Sequence, residues 1–151
     1  MAVARIVLKA RRGAAPVHVV CGGGNNAGDG LVVARHLHLR GVAVQVALCK
    51  APGKLRGEAA ANLERARAVG VPFVSERKAP ASGAVVVDAL FGTGLSRPVE
   101  GAPRAAIQRI RRSRPGCAVV AVDMPSGICA ATGRVLGVAV EADHTVTIGL
   151  P

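Results

Sequence analysis

Residues 17–30 read VHVVCGGGNNAGDG. A short, mostly apolar run breaks into three glycines, then two asparagines, then Ala27-Gly28-Asp29-Gly30, and a helical pattern follows. Glycine adopts backbone shapes closed to other residues and lets a ligand approach the main chain. The start of a helix offers unpaired N–H groups and the positive end of a dipole. A strand, a glycine turn and a helix start in succession make a site for an anionic, phosphate-bearing ligand. Capping alone accounts for Asn26 and Asp29. It does not account for Asn25 and the flanking glycines as well.

Outward from this stretch, strand and helix patterns alternate. Residues 17–21 read as the first strand, 28–39 as a helix stopped by Gly41, and 42–48 as the second strand. Residues 56–69 read as a helix closed by Gly70, and 71–74 as a short third strand. Residues 84–89 form the fourth strand, 103–112 a helix with Pro103 in its first turn, 118–122 the fifth strand and 145–148 the sixth. Ahead of them, Val3, Ile6, Val7 and Ala10 recur at helical spacing, so the basic start reads as an amphipathic helix rather than a transit peptide. The expected fold is a three-layer α/β/α Rossmann-like domain with a mostly parallel sheet, a single domain over residues 1–151. The strand order 3-2-1-4-5-6 gathers three loops at the switch point: the Gly-Asn loop, the loop after Asp88 and the loop after Asp123.

Composition agrees. Half of the 151 residues are hydrophobic, and Phe73 and Phe91 are the only aromatic ones, so the core is built of Val, Ala, Leu and Ile. The net charge of +11 favours anionic partners. Without Trp or Tyr, stacking surfaces for bases are scarce, and nucleic acid is not the expected partner. No apolar run reaches membrane-spanning length, so no membrane partner is expected. Cys21, Cys49, Cys117 and Cys129 form no CxxC pair, which points to reduced thiols and a cytoplasmic setting. His18, His36, His38 and His144 lack zinc-ligand spacing.

The loops carry the chemistry. Gly22-x-Gly24-x-x-Ala27 matches a loose dinucleotide pattern, but Ala47, Leu48, Cys49 and Lys50 stand where an acid normally holds a ribose. An ordinary nicotinamide dehydrogenase is thereby disfavoured. Asp88 follows Val85, Val86 and Val87 inside a strand, where an acid needs a partner or a cation. Asp123 ends the fifth strand before a rigid Met124-Pro125-Ser126-Gly127 turn, a placement suited to general acid/base work. Met124 stands where a nucleophile elbow needs glycine.

In this order and spacing, GGGNNAGDG (22–30), DALFGTGLSRP (88–98) and VDMPSG (122–127) resemble the NAD(P)H-hydrate epimerase family of the YjeF N-terminal type, over residues 15–149. The resemblance implies a Rossmann-like fold that equilibrates the R and S epimers of hydrated NADH and NADPH. This is a metabolite-repair step beside a companion NAD(P)H-hydrate dehydratase, which accepts only the S form and is fused in some relatives. It implies that Asn25, Asn26, Ala27, Gly28, Asp29, Gly92, Thr93, Gly94, Leu95, Ser96, Arg97, Pro98 and Asp123 contact the substrate. It further implies that Asp123 is the catalytic acid/base, that Asn26, Asp88 and Ser126 hold a potassium ion, and that the protein is a homodimer. An amide oxygen, one carboxylate and a hydroxyl form a hard, low-charge donor set that suits a large monovalent cation better than zinc. The chain departs from the family loop NNGGDG by Ala27, and it looks shortened at both ends. The alternatives from other classes are a non-catalytic dimerisation or RNA-associated module of the same fold and an inactive truncated relative.

Overall fold

The computed structural model describes residues 2–148. Met1 and Gly149, Leu150 and Pro151, where the sequence reading ends the domain, lie outside the described residues. The sheet runs β3-β2-β1-β4-β5-β6. Its strands are β1 (Val17–Cys21), β2 (Val44–Leu48), β3 (Phe73–Val74), β4 (Val85–Ala89), β5 (Ala118–Val122) and β6 (His144–Val146). Every pairing between these strands is parallel, from Val17 opposite Val44 and Val85 to Val122 opposite Val146. The fold is thus the expected α/β Rossmann-like one, with the expected strand order.

The helices are α1 (Ala2–Ala10), α2 (Asn25–His38), α3 (Gly57–Ala68) and α4 (Gly101–Ser113). Alternation along each strand divides the core in two. Val17, Val19 and Cys21 of β1 pack with Val3 and Val7 of α1, Leu31 and Leu37 of α2, and Leu63 of α3. On the opposite face Val20, Val86 and Val119 pack with Ile107 and Ile110 of α4 and with Val138 and Val140. Parallel strands buried on both faces need this unbroken Val-rich sequence. Each large aliphatic side chain so buried contributes about 1.5–3 kcal/mol of transfer free energy.

Two differences from the sequence reading have local causes. β2 starts at Val44 rather than residue 42, because Gly41, at φ +73°, and Val42 finish α2. The Gly41 N–H donates to the His38 carbonyl at 2.9 Å and the Val42 N–H to the Leu37 carbonyl at 3.1 Å, a Schellman ending. Gly70 and Val71 end α3 in the same way, on Arg67 and Ala66. The second difference matters more for function: α2 begins at Asn25, three residues before the expected Gly28. Asn25, Asn26 and Ala27 are therefore its first turn and not a loop.

One buried titratable group lies away from the loops. His18 on β1 is 2% exposed. Its Nδ1 lies 2.8 Å from Gln45 Nε2 on β2, which donates to the neutral ring. Burial, reinforced by the positive charges of Lys78 and Arg109, lowers its pKa from 6.5 to about 4. The folded state thus binds fewer protons than the unfolded chain between these values. The stability His18 contributes is complete above pH about 6.5 and is lost as the pH falls to about 4, on the order of 3 kcal/mol in full. Denaturant unfolding of His18→Gln should show a flatter pH dependence across that window than the parent. An unchanged slope would show that the ring titrates normally.

Candidate functional site

The site is built at the C-terminal edge of the sheet. Three strand ends are tied together there. The Gly22 N–H donates to the Ala89 carbonyl at 3.1 Å, joining the exit of β1 to that of β4. The Cys49 N–H donates to the Cys21 carbonyl at 2.9 Å, joining the exit of β2 to β1. Between these exits opens a cavity of about 670 Å³.

The three glycines before α2 have separate duties. A Cβ on Gly22 would stand 2.2 Å from the Leu90 carbonyl oxygen, so the β1 and β4 exits touch only because it is absent. A Cβ on Gly23 would stand 2.1 Å from Cδ of Lys50, whose stem crosses this point. Nothing lies within 4 Å of the corresponding position on Gly24, which faces open space. Gly24 is also the cap residue of α2, and no side chain caps the helix there. The Ala27 N–H donates to the Gly24 carbonyl at 3.1 Å, which leaves the first two N–H groups of α2, those of Asn25 and Asn26, for a ligand, with the helix dipole behind them.

The loops after β4 and β5 meet α2 at Gly92. A Cβ there would lie 2.7 Å from Asp123 Oδ2 and 3.7 Å from Asn26 Cβ and Cγ, so Asn26, Gly92 and Asp123 surround one spot. The Thr93 N–H donates to Asp123 Oδ2 at 3.2 Å. Among the described residues Asp123 is the one non-glycine residue with positive φ, at 70°. Asp tolerates this left-handed conformation better than most residues, yet its retention at a pocket wall marks a constrained position.

Beneath the cavity Asp88 is 0% exposed. The Ser126 hydroxyl donates to its Oδ1 at 2.6 Å, the Ser126 N–H to its Oδ2 at 2.8 Å and the Leu90 N–H to Oδ1 at 3.3 Å. The Phe91 N–H in turn donates to Ser126 Oγ at 2.9 Å. Burial raises the Asp88 pKa from 3.8 to about 6, against the opposing pull of the Ser126 and Leu90 hydrogen bonds. Asp29, also at the cavity, is raised by burial and then by the negative charge of Asp123. Asn26 is 7% exposed, and its Nδ2 is buried without a partner among the described residues.

Of the residues singled out by sequence, Asn25, Asn26, Asp29, Gly92, Thr93, Gly94, Leu95, Ser96, Arg97 and Asp123 line the cavity. Ala27 is 0% exposed, with its methyl in the core, which explains why an alanine is accommodated in this turn. The absent Cβ of Gly28 faces Ala59 and Asn62 of α3, away from the cavity. Pro98 is exposed and stands outside the lining. Asp88 and Ser126 lie under it. The cavity also takes in Gly23, Cys49, Lys50, Leu90, Phe91 and Pro103, which sequence reasoning did not assign as site residues. For Cys49 and Lys50 the signal was their position at the end of β2. Among the described residues no group of three or more His, Cys, Asp or Glu is placed to hold a metal ion.

The chain is similar in sequence and in fold to known proteins. The family described as YjeF-related protein N-terminus matches residues 1–151. The chain is 53% identical over 141 residues to a bifunctional NAD(P)H-hydrate repair enzyme Nnr of Thermofilum pendens, covering 88% of this chain and 26% of that protein. It is 43% identical over 132 residues to an NAD(P)H-hydrate epimerase of Oenococcus oeni, covering 87% of this chain and 62% of the relative. The crystal structure of a yeast protein, ynu0 (YNL200c), superposes with a TM-score of 0.81 at 26% identity, over 99% of this chain and 67% of that one. The chain therefore spans about a quarter of the bifunctional relative and less than two thirds of the epimerase.

The different duties of the glycines can be measured. Gly22→Ala drives a methyl into a backbone carbonyl, and it should lower unfolding free energy by about 1–3 kcal/mol, the range for forced overpacking. Gly24→Ala meets nothing and should cost only the preference for glycine over alanine at a helix cap, at most about 1 kcal/mol. Equal denaturation midpoints for the two variants would contradict the close approach of β1 and β4.

Proposed function

We propose, because this chain belongs to the family of the YjeF-related protein N-terminus, that its cavity equilibrates the R and S epimers of hydrated NADH and NADPH. The relatives named above are hydrate epimerases or bifunctional hydrate repair enzymes, which supports this substrate class. The observation that carries the chemistry is the setting of Asp123: a carboxyl group in left-handed backbone, held by the Thr93 N–H against Gly92, beside Asn26.

In this reading the first N–H groups of α2 take a substrate phosphate, with the Asn25 amide donating to it and Asp29 accepting from a neighbouring substrate hydroxyl. The 92–97 segment covers the nicotinamide end. Asp123 gives a proton to the hydroxyl on the hydrated ring, and the C–O bond breaks as water leaves. The ring nitrogen's electron pair stabilises the planar carbon. Water then adds to either face and its proton returns to Asp123. A positioned acid/base of this kind supplies about 10²–10⁴-fold.

Asn26, Asp88 and Ser126 fit a potassium ion. Asp88 is fully buried with no basic side chain within salt-bridge distance among the described residues, and burial raises its pKa. Asn26 carries an unpartnered amide atom, and an amide turned over presents oxygen in place of nitrogen. When bound, the ion supplies a fixed positive charge under the reacting end of the pocket. The reading extends to a homodimeric protein working beside a hydrate dehydratase in the cytoplasm. The four free thiols fit a reducing compartment.

The test couples the protein to an S-specific dehydratase supplied with both hydrates. Complete rather than partial conversion is expected with the parent, and Asp123→Asn should slow it by about 10²–10⁴-fold with circular dichroism unchanged. Turnover by that variant at the parent's rate would overturn the assignment. Replacing potassium by tetramethylammonium should lower the parent's rate, and Ser126→Ala should weaken the response to added potassium.

A further inference from the structure

Four features at the end of β2 meet in one residue. The sequence from Ala47 to Lys50 has no acid, where a ribose-binding carboxylate normally stands. The Cys49 N–H bond to Cys21 fixes the chain just ahead of Lys50 against β1. The Lys50 stem runs across Gly23, with Cδ, Cβ and Cε at 2.1, 3.2 and 3.2 Å from the place where a side chain would begin. The side chain lines the cavity, and among the described residues it makes no ion pair.

The order of groups along the sheet gives this cation its task. From β2 through β1 to β4 and β5 the cavity offers the Lys50 ammonium, the open N-terminus of α2, and the cluster of Asn26, Gly92 and Asp123. A dinucleotide has the same linear order: adenosine ribose, pyrophosphate, reacting ring. With the ring at Asp123 and the pyrophosphate on α2, the adenosine ribose falls at β2. A carboxylate there would accept from a ribose 2′-hydroxyl; an ammonium there pairs with a 2′-phosphate. Glycine at position 23 lets the stem reach across the loop instead of turning outward.

We propose that Lys50 is the specificity-determining residue that grips the adenosine 2′-phosphate, so that the cavity favours hydrated NADPH over hydrated NADH. The inference rests on the epimerase reading for its substrate and adds the direction in which the substrate lies.

Two measurements on the full chain test it separately from that reading. Calorimetric titration with 2′-phospho-ADP-ribose and with ADP-ribose should show the phosphorylated ligand bound more tightly. Lys50→Gln should shrink that ratio on the order of 10- to 100-fold, the scale of one hydrogen bond to a charged group, and Lys50→Arg should restore most of it. In the coupled assay the ratio of kcat/KM for hydrated NADPH over hydrated NADH should fall by a similar factor in Lys50→Gln, through KM. A ratio unmoved by Lys50→Gln overturns the inference, whether both ligands weaken together, as a pyrophosphate contact would require, or neither does. A chain that shows the binding shift but epimerises neither hydrate supports the Lys50 assignment and overturns the epimerase reading instead.

Discussion

The contact between Asp88 and Ser126 is what the site depends on. It joins the last residues of β4 to the turn after β5, two segments 38 residues apart. Both carboxylate oxygens are engaged, and the Ser126 hydroxyl passes the connection on to the Phe91 N–H. This short network fixes where the β4 loop leaves the sheet, and so where Gly92 lies against Asp123. An ionised group held out of water is costly, and the rise of its pKa to about 6 expresses that cost. A hydrophobic pair would pack here with less penalty but would bring neither directional hydrogen bonds nor a charge able to face a cation.

Much of this architecture was legible in the chain. Alternation of Val-rich runs with helical periods is a sufficient signal for a parallel sheet, and right-handed crossovers then limit the strand order. Gly41 and Gly70 mark helix ends because only glycine enters left-handed backbone without penalty. The gathering of Asn26, Gly92 and Asp123 follows from the same order. The start of α2 was not legible. Two asparagines and three glycines have low helix propensity, yet α2 begins at Asn25, directly after the tie of Gly22 to Ala89. The separate duties of Gly22, Gly23 and Gly24 were equally hidden, since each depends on a neighbour distant in sequence. Lys50 stood in view as a missing acid, but its reach over Gly23 is a fact of packing.

Charge is distributed in two ways. On the outer surface the few acids are shared among arginines: Glu141 with Arg111 and Arg114, and Asp143 with Arg114 at 2.7 Å. Such exposed pairs contribute little to stability. The cavity instead separates its charges, with Asp29 and Asp123 at the α2 and β5 walls and Lys50 at the β2 rim. A net charge of +11 draws any nucleotide towards the molecule. In the proposed reading Lys50 faces the phosphate-bearing end of the nucleotide and Asp123 the reacting ring.

Among the described residues the departures from ordinary protein chemistry collect in one place: a buried carboxyl with no basic side chain beside it, an amide nitrogen without an acceptor, and a left-handed aspartate. Backbone strain of this type costs of order 1–3 kcal/mol, and an unsatisfied buried donor about as much. The rest of the described chain follows the rules for a Val-rich parallel sheet with glycine-ended helices, and this regularity offsets the cost. In the proposed reading each departure is one that a ligand relieves: a potassium ion would neutralise Asp88 and meet the turned amide oxygen of Asn26, and a bound ring would give the posture of Asp123 its use. On that reading the site is held in a form that favours its ligands over water before they arrive, which is the physical meaning of preorganisation.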